Sequence, residues 1–441
     1  MGLKEIWIPE VLVVLFLVIH IIRPQIKKLW SLEGLVWVPL IVLGITVGIF
    51  LAYGIRPECI PMLVFTSFLS LANIRLFISS IKSRSVDSFY DKNIFITIFS
   101  FVILCAVSAP MFVFSPKEYD SINTDATDIK IIKLSDIERK RDYFLKFYGP
   151  DQEMQPGRPA LPADRPALSA DRPLIFIVPP DLGSAASIDL ICHGLYEKGF
   201  TVITYSREGY DSPLTTENRT KHFSSFSRLF SYWKIFFKNS DQNIVNEQGT
   251  AMVKDRSEDI EFLLPKFTEF IKDDIYPLLL VGYGAGGSAL AYISDYKNVI
   301  GVIAISDNEL NLQQGMFSQK RNFPVMYLVS GRALELKNEN SYQAVFNKFY
   351  SDSGPAAIAA IESAGAFDYQ DFSVTHPVYS FLFSGKKNVK KSKNPISDTA
   401  GLICNFASFL LERNGHKTLP HQEIDGSLYV ESKGLPGLRL R

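Results

Sequence analysis

The stretch LLLVGYGAGGSALAYISD, which spans Leu278–Asp295, decides the fold. An apolar run typical of a buried strand enters a glycine-rich turn, and small residues with helical spacing follow it. Two functional turns have this form. Gly282, Gly284 and Gly287 match G-x-G-x-x-G, the phosphate-binding turn of dinucleotide-binding units. Compared instead with G-x-S-x-G, the strained strand–turn–helix that presents a catalytic serine, the stretch has Gly284 in the place of the serine.

Strands and helices alternate around this turn. Two runs with helical periodicity predict helices at 187–199 and 255–273. Short apolar or β-branched runs predict buried strands, which are LIFIVPP at 174–180, FTVITYS at 200–206, YPLLLVG at 276–282, NVIGVIAIS at 298–306 and FPVMYLVSG at 323–331. The alternation predicts an α/β fold, in which a mostly parallel sheet carries helices on both faces.

The position of the turn favours the catalytic form over the dinucleotide-binding form. A dinucleotide fingerprint opens its unit, and an acidic residue follows it by about 20 positions. Asp307 meets the second condition, but two predicted strands precede the turn. A catalytic turn comes after a strand, loop and helix that supply the oxyanion loop, and PPDLGSAAS at 179–187 lies in that place.

Five segments between Arg172 and Lys417 carry a family resemblance. They are IFIVPPDLGSAASIDLICHGLYEKGFTVITYSREGY at 175–210, RSEDIEFLL at 256–264, VGYGAGGSALAYISD at 281–295, VIGVIAISDNELNL at 299–312 and AIESAGAFDYQDFSV at 360–374. In this order they resemble the secreted platelet-activating-factor acetylhydrolases of the α/β-hydrolase superfamily, in which the third segment contains G-H-S-F-G-G. The resemblance implies an α/β-hydrolase-like sheet and a carboxylic-ester hydrolase ancestry.

The same resemblance implies that the catalytic triad is lost. The nucleophile of the family falls on Gly284 and its histidine on Ala366. The acid falls on Ser306, or on Asp307 if the register slips by one residue. Glycine has no hydroxyl to form an acyl-enzyme, and alanine cannot transfer a proton. Because a triad acts as a unit, we expect no serine-hydrolase activity.

The remaining pocket candidates flank the turn and the oxyanion loop. The family's His-Gly pair is replaced by Pro179–Asp181, so Asp181 and Leu182 are the candidates in the loop. Tyr283 and Ala285 are the candidates beside the turn. We predict that they line a ligand pocket.

Hydrolysis by displaced residues is the alternative. Ser288 lies four residues past Gly284, about one helical turn into the following helix. Attack by water with Asp181 or Asp307 as the base is a second route. Either route would make the protein an active membrane-bound esterase or lipid hydrolase.

The first 115 residues carry four apolar runs, each close to the roughly 20 residues that a helix needs to cross a bilayer. They are Ile6–Ile22, Leu35–Tyr53, Ile60–Ile81 and Ile94–Phe114. They predict a multi-pass anchor of about four transmembrane helices at 1–115. A buried helical hairpin of a soluble domain is the alternative.

Basic residues in the loops between these runs predict the orientation. The first loop contains Arg23, Lys27 and Lys28, and the third contains Lys82 and Lys92. The positive-inside rule places both loops in the cytoplasm. The rest of the chain is then extracytoplasmic, on the periplasmic side of the cell membrane.

The remaining segments complete the predicted organisation. Residues 116–148 are a connecting segment, and 149–173 are a Pro-rich linker or loop in which RPAL-x-AD occurs twice. The hydrolase-like domain spans 174–417 with an insertion at 213–255, and 418–441 are a tail. Within the insertion, aromatic and basic residues at 222–238 predict a lid or a membrane-contacting helix, with the candidates Phe230, Trp233 and Phe237.

Composition limits the partners and cofactors. Basic and acidic residues both total 46, which gives no basic surface for nucleic acid. The four cysteines are scattered, and we expect neither a metal site nor a cofactor. The expected partners are the lipid bilayer, a lipid or acyl ligand, and a membrane protein. The sequence therefore predicts a membrane-anchored, catalytically inactive α/β-hydrolase-like protein that acts by binding.

Overall fold

The computed structural model describes residues 4–30, 32–53, 59–82, 94–113, 129–149, 173–180, 183–208, 210–211, 214–215, 220–221, 242–270, 277–290, 298–305, 323–329, 355–361, 395–415, 421–422, 424 and 428–440. The chain divides into two compact units. One comprises residues 1–118 with 219–226, and the other comprises 119–218 with 227–441. We call them the helical unit and the sheet unit.

The helical unit contains the four apolar runs as helices. Its helices are α1 (Lys4–Ile22), α2 (Lys27–Trp30), α3 (Val38–Tyr53), α4 (Ile60–Ala72), α5 (Ile74–Ile81) and α6 (Ile94–Val113). Helices α1 and α4 each pack against both α3 and α6. Their shared core includes Val13, Leu17, Val42, Met62, Phe65 and Leu104. The four runs therefore form one bundle.

One of these helices is long and apolar enough to span a membrane by itself. Among the described residues, Ile94–Phe112 of α6 is the single straight helix that is long and apolar enough to cross a membrane. Helices α4 and α5 pass the same test together, but they are bent by 50° at Asn73. The apolar helix Gly34–Phe50 is shorter. An anchor of four transmembrane helices stays a prediction.

The surface of the helical unit is unusually apolar. Among the described residues, every exposed large hydrophobic side chain of the chain lies between residues 11 and 112, except Ile137. Polar side chains lie inside instead, and Glu10, His20 and Arg23 are buried. This unit therefore has an apolar exterior and a partly polar interior.

The sheet unit is built on a nine-stranded sheet. The strands of this sheet are β1 (Ile129–Asp136), β2 (Arg141–Tyr148), β3 (Leu174–Val178), β4 (Thr201–Arg207), β7 (Leu278–Tyr283), β8 (Val299–Ile305), β9 (Val325–Leu328), β10 (Ala356–Ile361) and β11 (Leu428–Lys433). Two short strands, β5 (Leu214–Thr215) and β6 (Thr220–Lys221), do not belong to the nine-stranded sheet. The spatial order is β1-β2-β4-β3-β7-β8-β9-β10-β11. The six strands from β4 to β10 in this order are parallel, whereas β2 and β11 run antiparallel to their neighbours.

Helices cover both faces of this sheet. They are α7 (Asp189–Glu197), α8 (Gln242–Phe270), α9 (Ala285–Leu290) and α10 (Pro395–Arg413). Helices α8 and α9 pack on one face through Ile260, Leu263 and Leu290. Helices α7 and α10 pack on the other face through Leu195 and Phe406. Burial on both faces explains why β3, β4 and β7 are buried throughout and read as continuous apolar runs. The predicted α/β fold with a mostly parallel sheet is confirmed, and the preceding segment of about four transmembrane helices stays a prediction.

The predicted boundaries of the sheet domain, 174–417, are too narrow. Strands β1 and β2 come from the predicted connecting segment 116–148, and β2 pairs with β4 from Tyr143 to Tyr148. Strand β11 comes from the predicted tail 418–441 and pairs with β10. Helix α8 begins at Gln242, inside the predicted insertion 213–255. The Pro-rich residues 150–172 lie outside the described residues.

The last residues described are part of the hydrophobic core. Leu435 and Leu440 are buried with α7 and α10. The side-chain amide of Asn405 in α10 donates to the carbonyl oxygens of Gln422 and Leu440, at 2.9 and 3.2 Å. The predicted tail is therefore bound to the sheet unit by both packing and hydrogen bonds.

Candidate functional site

The glycine turn connects β7 to α9. Gly284 occupies its apex with a φ of +53°, in the left-handed region that favours glycine. Its N–H donates to the Ile305 carbonyl at the end of β8, over 2.8 Å. Its carbonyl accepts the Ser288 N–H at 3.2 Å, which starts the hydrogen bonding of α9. This is the sharp strand–turn–helix geometry that presents a nucleophile in serine hydrolases.

The flanking glycines allow the close backbone packing that this turn needs. A Cβ on Gly282 would lie 2.6 Å from the backbone of Gly286. A Cβ on Gly286 would lie 2.5 Å from Cγ1 of Val178, and one on Gly287 would lie 2.8 Å from the Gly282 carbonyl oxygen. Packing thus accounts for the glycines that match a dinucleotide fingerprint.

The loop after β3 lies against this turn. Besides Val178, the Pro179 carbonyl oxygen lies 3.3 Å from where a Cβ of Gly286 would be. The Pro180 carbonyl then accepts the Gly183 N–H at 2.9 Å, which closes a tight turn. Asp181 and Leu182, which follow Pro180 in the sequence, lie outside the described residues. The loop that the sequence predicts as the oxyanion loop is therefore next to the glycine turn, and its role stays a prediction.

The strand order and these two neighbouring loops define the architecture. The central strand β7 leads into the glycine turn, the loop after β3 borders it, and the second strand of the sheet is antiparallel. The sheet unit has an α/β-hydrolase-like fold.

Some of the predicted pocket residues can now be placed. Tyr283 and Ala285 flank Gly284 and are buried. Ser306 and Asp307 follow the last residue of β8 in the sequence, and Ala366 follows β10 by five residues, but all three lie outside the described residues. The lid candidates, which also lie outside them, are Phe230, Trp233 and Phe237.

Ser288, the candidate for a displaced nucleophile, is buried in α9. Its position one turn beyond Gly284 places it within the helix instead of at the apex. In the part of the chain that the structure describes, no group of three or more His, Cys, Asp or Glu side chains is arranged to hold a metal ion. None of the four cysteines forms a disulfide.

An ionic network that the sequence analysis did not predict lies beside the loop after β3. Three arginines from β2, β4 and α8 meet three aspartates, and the members are Arg141, Arg207, Arg256, Asp211, Asp255 and Asp259. Arg207 donates to Asp259 at 2.9 Å and to Asp255 at 3.1 Å. Arg256 binds Asp211 through two nitrogens, at 2.7 and 3.2 Å. We call this set the arginine network.

The arginine network shifts the pKa values of its members. Burial alone would raise the pKa of Asp255, but Arg207 and Arg141 outweigh burial and hold the pKa below its usual value. Burial would also lower the pKa of Arg256, but Asp211 outweighs burial and raises it, so this guanidinium stays charged. For Asp259, burial dominates and raises the pKa, although Arg207 opposes the shift.

The network was missed because its partners are distant in sequence. In the segment DRSEDIEFLL, Asp255, Arg256 and Asp259 read as the solvated face of a helix. The spacing of Asp255 and Asp259, four residues apart on one helix face, was the available signal. The arginines that face them come from β2 and β4, more than 40 residues away.

Comparisons with known proteins give likenesses for both units. A family model described as the TP_0976_N N-terminal domain matches residues 4–113, within the helical unit. No curated protein matches the sequence. The chain is similar in structure to solved hydrolases and a hydrolase homologue, of which three examples follow.

A ferulic acid esterase from Streptomyces cinnamoneus is 14% identical, with a TM-score of 0.47 over 72% of this chain and 99% of that one. The dienelactone hydrolase-like promiscuous phosphotriesterase P91 from metagenomic libraries is 12% identical, with a TM-score of 0.37 over 64% and 98%. An α/β serine hydrolase homologue from Coxiella burnetii is 10% identical, with a TM-score of 0.32 over 60% and 97%. At these identities no activity carries over to this chain.

Proposed function

We propose that this protein is a membrane-anchored α/β-hydrolase-like protein that binds a lipid or acyl ligand at the glycine turn and does not hydrolyse esters through a serine. The observation that carries the proposal is Gly284. The turn around it has the conformation and close packing of a nucleophile-presenting turn. The residue at its apex has no side chain, so no acyl-enzyme forms there.

The resemblance to platelet-activating-factor acetylhydrolases adds a second loss. The histidine of that family falls on Ala366, so the base is missing together with the nucleophile. In a triad enzyme that has lost these groups, backbone donors and binding alone retain only about 10³-fold acceleration over water. What remains of such a site is its capacity to bind.

The apolar exterior of the helical unit supports the membrane anchor. Contiguous apolar surface of this extent is rare on soluble monomers and marks a lipid or protein contact. The length of α6 and of the bent pair α4–α5 fits the same proposal. We propose four spans, with the basic first and third loops in the cytoplasm and the sheet unit outside.

Activity-based labelling tests the loss of chemistry. The full chain in native membranes should not react with a fluorophosphonate probe, and the purified chain in detergent should show no burst on short-chain aryl esters. The G284S variant should stay unlabelled too, because a serine without a base remains protonated. An endogenous serine hydrolase of the same membranes serves as the positive control.

Two outcomes separate this proposal from the active-esterase alternative. If the wild-type chain is labelled and the S288A variant is not, the protein is an esterase that uses a displaced nucleophile. If instead a diazirine derivative of palmitic acid crosslinks to peptides of the loop after β3 or of α9, lipid binding at the turn is supported. Absence of such adducts would reject the lipid or acyl ligand.

Cysteine labelling in intact cells tests the orientation. In a background with Cys105 replaced by alanine, the I137C variant places a thiol on the β1–β2 hairpin, where Ile137 is 87% exposed. The K28C variant places one in the first loop, where Lys28 is also exposed. A membrane-impermeant maleimide should modify the first and not the second. The reverse pattern would put the sheet unit in the cytoplasm.

A further inference from the structure

Hydrogen bonds hold the loop after β3 on two limbs, the first leaving β3 at Pro180 and the second leading through Ala185 toward α7. On the first limb, the Pro180 carbonyl accepts two donors, the Gly183 N–H at 2.9 Å and Nη2 of Arg256 at 3.2 Å. On the second limb, the Ala185 N–H donates to Oγ of Ser206 at 3.0 Å. This loop is therefore joined to the sheet and to α8 before any ligand binds.

The guanidinium of Arg256 is held in one orientation. Its bidentate contact with Asp211 uses both terminal nitrogens, and Asp211 also accepts the backbone N–H of Arg207 at 2.7 Å. Tyr205 accepts from Nη1 at 3.4 Å. Because the fork of an arginine is planar and rigid, these contacts direct the second proton of Nη2 to the Pro180 carbonyl.

The arrangement does not maximise the hydrogen bonds of this side chain. Arg256 is buried, and among the described residues its Nε has no hydrogen-bond partner. One oxygen of Asp259 is likewise buried without one, 3.6 Å from Nη1 of Arg256. The shortest polar contacts of this guanidinium are therefore those with Asp211 and with the Pro180 carbonyl.

We infer that Arg256 is a positioning residue of the site at the glycine turn. Arg256 holds the carbonyl of Pro180 in place. The two residues before Pro180, Val178 and Pro179, pack on Gly286 of the glycine turn. Arg256 acts through the loop and does not touch the ligand. The inference rests on the proposed function only in placing the ligand at this turn.

Arg141 is the matched control because it belongs to the same network. Arg141 donates to Asp255, Asp259 and Glu258. Within the described residues, none of these hydrogen bonds reaches the loop after β3. Replacing either arginine removes a guanidinium from the network. Only the change at position 256 removes a donor from the loop.

Hydrogen exchange of the full chain in detergent tests the role of Arg256. Gly183, Ser184, Ala185 and Ala186 all donate their amide protons to partners within or beside the loop. In R256M, exchange at residues 183–186 should rise by at least about tenfold, as expected when a charge-assisted hydrogen bond is lost. In R141M, exchange there should stay as in the wild type, even though the unfolding midpoint falls.

The R256K variant keeps the test decisive if R256M does not fold. Lysine keeps the charge beside Asp211, but a single ammonium cannot reproduce the planar fork. Exchange at 183–186 should rise while exchange in β7 stays as in the wild type. Wild-type exchange at the loop in R256K would overturn the inference, as would equal effects of R256M and R141M.

Crosslinking separates this inference from the proposed function. With the diazirine derivative of palmitic acid, adducts on the loop should fall several-fold in R256K and remain in R141M. If the wild-type chain gives no adducts, the ligand proposal fails and the exchange result still decides the role of Arg256. If adducts form equally in all three proteins, positioning by Arg256 has no bearing on binding.

Discussion

The two units of the molecule place the same kinds of residue in opposite locations. In the helical unit, Phe68 and Val102 are 66% and 58% exposed, as are many other large apolar side chains. In the sheet unit, the described residues include one comparable case, Ile137, at the tip of a hairpin. The first unit thus exposes many large apolar side chains whereas the second buries nearly all of those described, and exposed apolar surface marks a contact with lipid or with another protein.

Buried charge follows the same division. In the sheet unit the buried arginines Arg207 and Arg256 face the buried aspartates Asp259 and Asp211 in the arginine network. In the helical unit Glu10, His20 and Arg23 are also buried, although its exterior is apolar. These inward-facing polar groups support the proposed membrane anchor, because polar side chains of a membrane bundle face its interior.

The largest expected effect comes from breaking the network of the sheet unit. D211N should destabilise the sheet unit by about 3–5 kcal/mol, because it removes the bidentate charge partner of the buried guanidinium of Arg256 and leaves only the longer pair with Asp259. The matched surface change is D142N, which removes the exposed pair with Lys133 and should cost less than about 1 kcal/mol. Urea unfolding of the full chain in detergent measures both. Equal losses would mean that burial of the network contributes nothing.

A charge on the apolar exterior of α6 gives the next largest effect. V102R should oppose membrane integration by about 3 kcal/mol, because the arginine would face lipid. I137R, at the exposed hairpin of the sheet unit, should be neutral within about 0.5 kcal/mol. The fraction of chain that resists alkaline extraction from membranes reports both. Full resistance of V102R would contradict a lipid-facing α6.

The smallest expected effects distinguish two glycines within the sheet unit. G282A should cost about 1–3 kcal/mol, since its Cβ would lie 2.6 Å from the backbone of Gly286. G194A, in α7, meets only Ala400 at 3.7 Å and should stabilise the unit by up to about 1 kcal/mol. The two unfolding midpoints should therefore move in opposite directions. A neutral G282A would show that the turn relaxes without cost.

The sequence predicted five of the six parallel strands that are covered on both faces, and it missed the sixth, β10, although β10 is buried throughout. Strands β3, β4, β7, β8 and β9 appear as short apolar runs because helices cover them on each side. Strands β1 and β2 were missed because charged residues interrupt their apolar residues without a regular alternation, and because both strands precede the segments that carry the resemblance. Strand β11, with mixed polarity, was missed for the same reason.

The site was predictable at its apex and less so around it. The strand, the glycines and the helix that form the turn are consecutive, so Gly284 is placed by local sequence alone. The contact of Arg256 with Pro180 joins residues 76 positions apart, and no local pattern records it. The predicted acid and histidine positions follow strands β8 and β10 and stay predictions.

Strand β11 has a consequence for how the chain is made. The helices between residues 4 and 113 are complete early in synthesis, whereas the sheet stays open at β10 until residues 428–440 are added. At about 5–20 residues per second, the wait from the end of β10 at Ile361 to the end of β11 at Lys433 is roughly 4–14 s. During that interval the alanine-rich strand β10 has an unpaired edge, on which another strand can pair. A ribosome stalled within this interval would therefore carry an aggregation-prone chain, and chaperone capture should be strongest just before β11 emerges.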